Sequence, residues 1–271
     1  MLLKKQFEQG EINGVVYGNG TVAFQGVKLN VYCYIIDGVC IDTGAHSLRQ
    51  QFQHFLTAQS FEQVVLTHHH EDHSGNAAFL QQQGVPIYIE ESLLKECAKK
   101  AAYPLYRRLF WGARKPFQAQ PLANTFTSKT ATWEVIQTPG HAIDHVALLN
   151  KNTGQLFTGD LYVMTKTRLI LREESIPAII RSLQQVLASD FDEVFCSHAG
   201  LLKNGRKALQ AKEDYLLTVQ DKAFSLYEQG FTVSEIDRQL FSKKYPITRF
   251  SRGEWDSQHI VTSILKEANK I

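Results

Sequence analysis

The chain has 271 residues, of which 44% are hydrophobic and 21% are charged, and its formal net charge at pH 7 is +2. This length and apolar content are enough for one α/β domain with a large core plus an appendage. The near balance of acidic and basic residues excludes a partner that is selected by overall charge.

The amino terminus and the cysteines indicate the compartment. The first residues, Met-Leu-Leu-Lys-Lys-Gln, lack an apolar core of signal-peptide length, and no apolar run approaches membrane-spanning length. The cysteines show no C-x-x-C spacing, so we interpret them as reduced and structural. They are Cys33, Cys40, Cys97 and Cys196. We therefore predict a cytoplasmic enzyme with no membrane partner, and the sequence leaves a homodimer open.

Short apolar runs and glycines alternate over residues 12–42. The runs predict strands at 15–17, 21–24, 31–36 and 39–41 in an antiparallel meander, broken by glycines at positions 14, 18, 20, 26 and 38. The meander ends at Asp42-Thr43-Gly44, a sharp turn that either supports a neighbouring site or is a plain turn. A helix is predicted next, at 47–56.

The most informative segment is the His-rich loop, residues 67–75, which reads Thr-His-His-His-Glu-Asp-His-Ser-Gly. It follows an apolar run and precedes a predicted helix at 76–83 that Gly84 stops. Extended backbone directs His68 and His70 to the same side, and the turn into the helix re-aims Asp72 and His73. This spacing predicts two adjacent metal ions, against the alternative of a solvated turn.

A strand at 85–89 is followed by a lid segment, residues 91–125, which we predict to be a helical insertion. Between Lys95 and Lys115 it carries seven basic residues and a single acid, with aromatic side chains between them. Such a segment suits an anionic or partly apolar substrate. The alternative is an amphipathic helix whose aromatic residues are buried and whose charges are solvated.

The second half repeats a pattern of a strand followed by a ligand-type residue. Strands are predicted at 131–137, 145–149, 155–158 and 193–196, and a helix at 175–188. His141, Asp160 and His198 each lie shortly after an extended apolar run, next to a turn-former or small residue. Together with the His-rich loop, they complete a ligand set for two metal ions.

The tail, residues 205–271, is predicted to be a helical extension packed on the core. Helices are expected at 206–229, at 232–241 after a capping box formed by Thr232 and Glu235, and at 256–269. Three helices could indicate a helix-turn-helix, but no single basic face stands out, so nucleic acid is disfavoured as a partner. We interpret His259 as a core or surface histidine.

In its motifs, the chain resembles the metallo-β-lactamase-fold superfamily, over roughly residues 12–203. The resemblance implies a four-layer αββα sandwich over residues 1–204. It also implies that His68, His70 and His141 hold one ion, that Asp72, His73 and His198 hold a second, and that Asp160 bridges them. Asp42 would support the His-rich loop from behind. The ligand types suit zinc, and also iron or manganese.

The resemblance further implies a hydrolase in which a metal-bridging hydroxide attacks an acyl carbonyl of a thioester, ester or lactone, with Asp72 as the catalytic residue that orients it. Insertions at the position of the lid segment pass over the site in this fold. Small-molecule substrate contacts are therefore expected from Tyr103, Arg107, Arg108 and Tyr162.

Three other activities are weighed against acyl hydrolysis. Secreted β-lactamases of this fold lack the last histidine of the His-rich motif and have cysteine at the Asp160 position, so antibiotic hydrolysis is disfavoured. The motif set is similar to that of glyoxalase II, without a match to its glutathione-binding residues. The alternative enzyme is a phosphodiesterase or nuclease, which only the basic lid segment supports. A non-catalytic metal or redox module would need a flavodoxin-like partner domain or a degenerate ligand set.

Overall fold

Strands occupy both halves of the computed structural model, which describes residues 3–243 and 245–271. Numbered along the chain, they are β1 Lys4–Ile12, β2 Val15–Phe24, β3 Val27–Ile36, β4 Val39–Ile41, β5 Gln63–Val65, β6 Ile87–Ile89, β7 Gln120–Pro121, β8 Thr125–Thr127, β9 Thr132–Gln137, β10 Val146–Asn150, β11 Gln155–Phe157, β12 Ile170–Leu171, β13 Glu193–Cys196, β14 Gly200–Leu201 and β15 Trp255–Asp256.

The helices lie between and after these strands. They are α1 Arg49–Thr57, α2 Ala77–Gln82, α3 Leu94–Cys97, α4 Leu105–Phe110, α5 Ile176–Leu187, α6 Gly205–Glu228, α7 Val233–Leu240, α8 Pro246–Phe250 and α9 Gln258–Glu267, with short 3-10 helices at His46–Leu48 and Glu91–Leu93. Within the described ranges, each helix is too short or too polar to cross a bilayer.

Strand direction brings several strand ends to common edges. The first sheet has the order β1-β2-β3-β4-β5-β6-β7, antiparallel from β1 to β4 and parallel from β4 to β7. The second has the order β14-β13-β11-β10-β9-β8, with β11 parallel to β13 and β10 antiparallel to both β9 and β11. Hence β9, β11 and β13 point the same way, and their carboxyl ends share one edge.

Three apolar clusters define four layers, as the resemblance implied. One cluster joins strands of the first sheet to strands of the second, and includes Tyr34 and Phe157. A second covers the outer face of the first sheet with α1 and α2. A third covers the outer face of the second sheet with α5, α6, α7 and α9. The αββα sandwich with a helical carboxyl-terminal region is therefore confirmed, while the division at residue 204 stays a prediction.

The prediction that glycines interrupt the strand was wrong for β2. The predicted strands 15–17 and 21–24 form one continuous strand, and Gly18 and Gly20 lie inside it rather than breaking it. A Cβ atom on Gly20 would lie 2.6 Å from Phe52 and 2.7 Å from Leu48. The glycine is there because α1 packs directly on this strand, which a local sequence pattern does not reveal.

Other differences are additions to the predicted elements. Strands β1, β8 and β14, the β12–β15 pair and α8 were not predicted. The lid segment is helical over only part of its length, because β7 within it pairs with β6 as an edge strand of the first sheet. Strand β3 begins four residues before the predicted strand 31–36, the other predicted helices and strands are present with ends shifted by at most two residues, and the Thr232–Glu235 capping box is formed in both directions.

Candidate metal centre

The predicted ligand residues converge because each follows the carboxyl end of a strand. The His-rich loop follows β5, and Asp42 follows the neighbouring parallel strand β4. His141, Asp160 and His198 follow β9, β11 and β13, the three strands that run in the same direction. The two sheets therefore present all of these side chains at one end of the sandwich.

The first predicted triad is assembled and buried. Ligand-type atoms of His68, His70 and His141 lie within 4.8 Å of one another. His141 Nε2 lies 3.0 Å from His70 Nδ1, and the ring of His68 lies 4.6 Å from that of His70. These three imidazoles could hold a single metal ion.

The second triad lies beside the first. Asp72, His73 and His198 also place ligand-type atoms within 4.8 Å of one another. Asp160 lies between the two triads. Its Oδ1 is 3.3 Å from His73 Nε2, and its Oδ2 is 3.0 Å from His198 Nε2 and 3.3 Å from His141 Nε2. A carboxylate in this position could touch both ions.

Orphaned buried atoms show that this donor set fits divalent cations. His68 Nε2, His73 Nε2 and Asp160 Oδ1 are buried and have no hydrogen-bond partner. Buried polar atoms are normally satisfied, so three such atoms facing one another indicate a cation-binding site. Imidazole nitrogens and carboxylate oxygens at this density are ligands for zinc, iron or manganese.

The charges of the cluster are consistent with cation binding. Burial lowers the pKa of His68 and of His70 well below the ordinary value, so both rings are neutral, which is the ligand form. Burial also acts to lower the pKa of His73, but the carboxylates of Asp160, Asp42 and Asp72 outweigh it and raise that pKa. The carboxylates thus favour positive charge at this place.

The outer ring nitrogens of three candidate ligands, His73, His141 and His198, have partners that could orient them. His73 Nδ1 lies 2.7 Å from Asp42 Oδ2, and Asp42 in turn accepts hydrogen bonds from the backbone N–H and hydroxyl of Thr67. His141 Nδ1 lies 3.1 Å from Glu174 Oε2. His198 Nδ1 contacts the backbone oxygen of Asn30. Such partners fix ring orientation, which is how metal sites are commonly supported.

Two of the residues that support the centre were missed by the sequence analysis. Glu174 lies far from the motifs and carries no local signal. His145 lies in a strand-like run, and burial lowers its pKa to about 4, so its neutral Nε2 accepts the backbone N–H of Asp160 at 2.9 Å. Gly159 permits this contact, because a Cβ there would lie 2.6 Å from His145 Nε2. In the sequence, the only indication of this contact was the glycine between Thr158 and Asp160.

The predicted substrate-binding residues have different surroundings. Arg107 donates two hydrogen bonds to the buried carboxylate of Glu71 and lies 5.3 Å above the ring of Tyr103. Arg108 is exposed. The hydroxyl of Tyr162 contacts Thr165 at 2.9 Å. The Arg107 guanidinium thus already has a carboxylate partner, and its role as a substrate contact stays a prediction from the sequence.

A polar groove opens beside His198. It has a volume of about 710 Å³, and its lining residues are Gln6, Phe7, Glu8, Asn19, Thr21, Lys28, Asn30, Tyr32 and His198. A chain of hydrogen bonds crosses its floor: Asn19 donates to Glu8, and Asn30 donates to Asn19 and to the backbone oxygen of His198. The groove is large enough for a small molecule that reaches the candidate metal centre.

Comparisons with known proteins agree with this geometry. The family model described as the metallo-beta-lactamase superfamily matches residues 26–218. A hydroxyacylglutathione hydrolase of Idiomarina loihiensis is 23% identical over 248 residues, which cover 86% of this chain and 83% of that protein. An atrochrysone carboxyl ACP thioesterase of Passalora fulva is 24% identical over 83% of this chain and 66% of its own length. The chain spans 56% of a beta-lactamase-like protein 2 homolog of Drosophila melanogaster, at 26% identity over 61% of this chain.

Solved structures share the fold over nearly the whole chain. A metallo-beta-lactamase family protein from Thermus thermophilus superposes with a TM-score of 0.67 at 18% identity, covering 98% of this chain and 94% of that one. A beta-lactamase domain protein from Burkholderia ambifaria gives a TM-score of 0.70 at 18% identity, covering 97% and 88%. At this identity, the likeness concerns the fold alone.

Proposed function

We propose that this chain, which belongs to the metallo-beta-lactamase superfamily, is a metal-dependent hydrolase that uses two divalent cations to hydrolyse an acyl bond of a thioester, ester or lactone. The observation that carries this proposal is the position of Asp160 between two triads of ligand-type side chains, all of them buried except the half-buried His198. A single-ion site would need only one triad.

In this proposal, His68, His70 and His141 hold one cation, Asp72, His73 and His198 hold the other, and Asp160 bridges them. Zinc is the ion we favour, because neutral imidazole and carboxylate ligands suit it, and iron or manganese fits the same set. When bound, the cations would lower the pKa of water and polarise the substrate carbonyl.

In this proposal, Asp72 is the catalytic carboxylate. Its Oδ2 lies 3.6 Å from His198 Nε2 and 3.7 Å from His73 Nε2, and 9% of its side chain remains exposed. A carboxylate held there can accept a hydrogen bond from an attacking water and take its proton. The polar groove beside His198 would hold the part of the substrate that leaves.

The substrate class rests on two kinds of support. The relatives include a thioesterase and a hydroxyacylglutathione hydrolase, both of which are acyl-bond hydrolases by name. The phosphodiesterase alternative depends on the basic lid segment, in which Arg107 is already paired with Glu71. A cytoplasmic location, an anionic substrate and a homodimer stay predictions from the sequence.

A panel assay tests the proposal. Metal-loaded protein should hydrolyse acyl thioesters or lactones, with a matched chelator-treated sample inactive, and should leave bis(p-nitrophenyl) phosphate largely intact. Metal-dependent cleavage of the phosphodiester, with no turnover of any acyl substrate, would replace acyl hydrolysis by phosphodiester hydrolysis.

A further inference from the structure

Lys212 of α6 is a buried lysine outside the predicted ligand set. Only 4% of this residue is exposed, although lysines are rarely buried without a partner. Its Nζ donates to the backbone oxygens of Leu161 at 2.7 Å and Tyr162 at 2.6 Å. Burial lowers the pKa of Lys212 to about 8, so the group is still an ammonium at neutral pH. These two carbonyls directly follow Asp160.

The backbone that Lys212 contacts is strained. Val163 has φ of +50°, and the N–H of Met164 donates to Tyr162 O at 2.5 Å, which closes a three-residue γ-turn. A β-branched residue rarely adopts a positive φ, because its side chain crowds the backbone there. Tyr162 O therefore accepts two hydrogen bonds, one that closes the turn and one from the ammonium.

This turn is continuous with Asp160. On one side, the N–H of Asp160 is held by His145 Nε2, and the N–H of Leu161 donates to Thr158 O at 2.9 Å. On the other side, Lys212 holds the next two carbonyls. The loop therefore has fixed points before and after the carboxylate that faces His73, His141 and His198.

We propose that Lys212 is a positioning residue, which holds the strained turn at residues 162–164 and thereby sets the place of the Asp160 carboxylate between the two triads. Helix α6, the first helix of the carboxyl-terminal region, then contributes to the candidate metal centre, since it supplies the group that stabilises the Asp160 loop. This inference about Lys212 rests on the proposed function only in the experiments that measure metal binding.

Cobalt(II) titration tests this positioning. Lys212→Met keeps the length of the side chain and removes the ammonium. It should weaken cobalt binding about tenfold or more, the usual scale for residues that orient metal ligands, and change the visible cobalt spectrum. Lys222→Met, an exposed lysine on the same helix, should match the wild type. A variant at Lys212 with lower thermal stability but wild-type cobalt affinity and spectrum would overturn the proposal.

A second, independent test relieves the backbone strain at Val163. Glycine adopts positive φ at little cost, so Val163→Gly added to Lys212→Met should restore most of the cobalt affinity. Failure of this rescue, with both proteins folded, contradicts the proposal. If Lys212→Met does not fold, Lys212→Gln, which keeps an N–H donor, replaces it in the same pair.

Amide hydrogen exchange in metal-free protein separates this inference from the proposed function. Protection of the Met164 amide should fall in Lys212→Met and persist in Lys222→Met, whether or not the protein binds metal or cleaves any acyl substrate. Unchanged protection of Met164 in a folded Lys212→Met protein would show that the ammonium does not hold the turn. If the wild-type protein did not bind metal, the proposed function would be contradicted, and the inference about Lys212 would not be affected.

Discussion

Arg107 donates its Nε and Nη2 hydrogens to the two carboxylate oxygens of Glu71, each at 2.6 Å. Glu71 is completely buried and lies in the chain between His70 and Asp72. Arg107 also lies 3.5 Å from Glu254, near β15. One guanidinium therefore joins the lid helix α4, the His-rich loop and the carboxyl-terminal region. Arg107 therefore supports the His-rich loop, and its predicted role as a substrate contact stays a prediction.

Removal of this guanidinium should destabilise the protein. Arg107→Met leaves the Glu71 carboxyl buried without its partner, and we expect the free energy of unfolding to fall by about 3 kcal/mol. Arg108→Met, at the exposed neighbouring position, should change it by less than about 0.5 kcal/mol. Urea denaturation measures both. Equal effects of the two variants would contradict the assignment, and Glu71→Met added to Arg107→Met should recover most of the loss.

The lid segment shows what local sequence could and could not provide. The alternative interpretation of this segment, an amphipathic helix with buried aromatic residues, agrees with the burial of Tyr106 and Phe110. It could not show which of two adjacent arginines is paired, because Glu71 lies in a different loop and becomes a neighbour only through tertiary folding. The substrate role predicted for Arg107 and Arg108 treated the two residues as equivalent, but their environments differ.

The two central histidines of the loop should behave differently. His69 Nδ1 lies 2.9 Å from Asp144 Oδ1, whereas His70 Nδ1 lies 3.0 Å from His141 Nε2. His69→Ala should retain both metal equivalents in protein purified without chelator, whereas His70→Ala should lose at least one. Elemental analysis measures the content. Equal loss in both variants would show that the orientation of His69 does not separate it from the ligands.

Asp160 should be needed for turnover and not for folding. Asp160→Asn removes a negative charge with little change in size, so the contact with His73 and His198 weakens while the packing persists. We expect hydrolysis of an accepted acyl substrate to fall about a hundredfold or more, the scale for loss of a key electrostatic group. Steady-state kinetics and circular dichroism test the two halves of this prediction. Near-normal turnover would exclude a bridging role.

A surface carboxylate should give the fold a measurable pH dependence. Burial would raise the pKa of Asp37, but hydrogen bonds from Ser128 and from the N–H and hydroxyl of Thr130 outweigh it and lower that pKa. A lowered folded pKa contributes stability that is present above the unfolded pKa of about 3.9 and is lost as pH falls through the folded value. Asp37→Asn should therefore be less stable than wild type at pH 7.

The difference between these two proteins in unfolding free energy should shrink as the pH falls from about 5 toward 3. Urea denaturation of both proteins across this range measures it. A difference that stays constant with pH would mean that the hydrogen bonds of Asp37 do not depend on its ionisation.

Short-range patterns predicted which side chains cluster in the candidate site, because the residues that follow strands running in the same direction lie at one edge of a sheet. The spacing of His68, His70 and His73 and the isolated Asp160 and His198 were readable from type and position alone. The residues behind them were not. Glu174 reaches His141 from the segment before α5, and Lys212 reaches the Asp160 loop from α6, so neither contact has a counterpart in a local pattern.

The candidate ligands extend along the chain from His68 to His198 and come from both sheets. Contacts between such distant positions form only after most of the chain has been ordered, so the complete centre should appear late in refolding. A cation that binds only the native arrangement adds to its stability in proportion to the logarithm of its concentration over its dissociation constant. Metal supply would then decide how long a newly made chain survives against proteolysis, apart from any effect on catalysis.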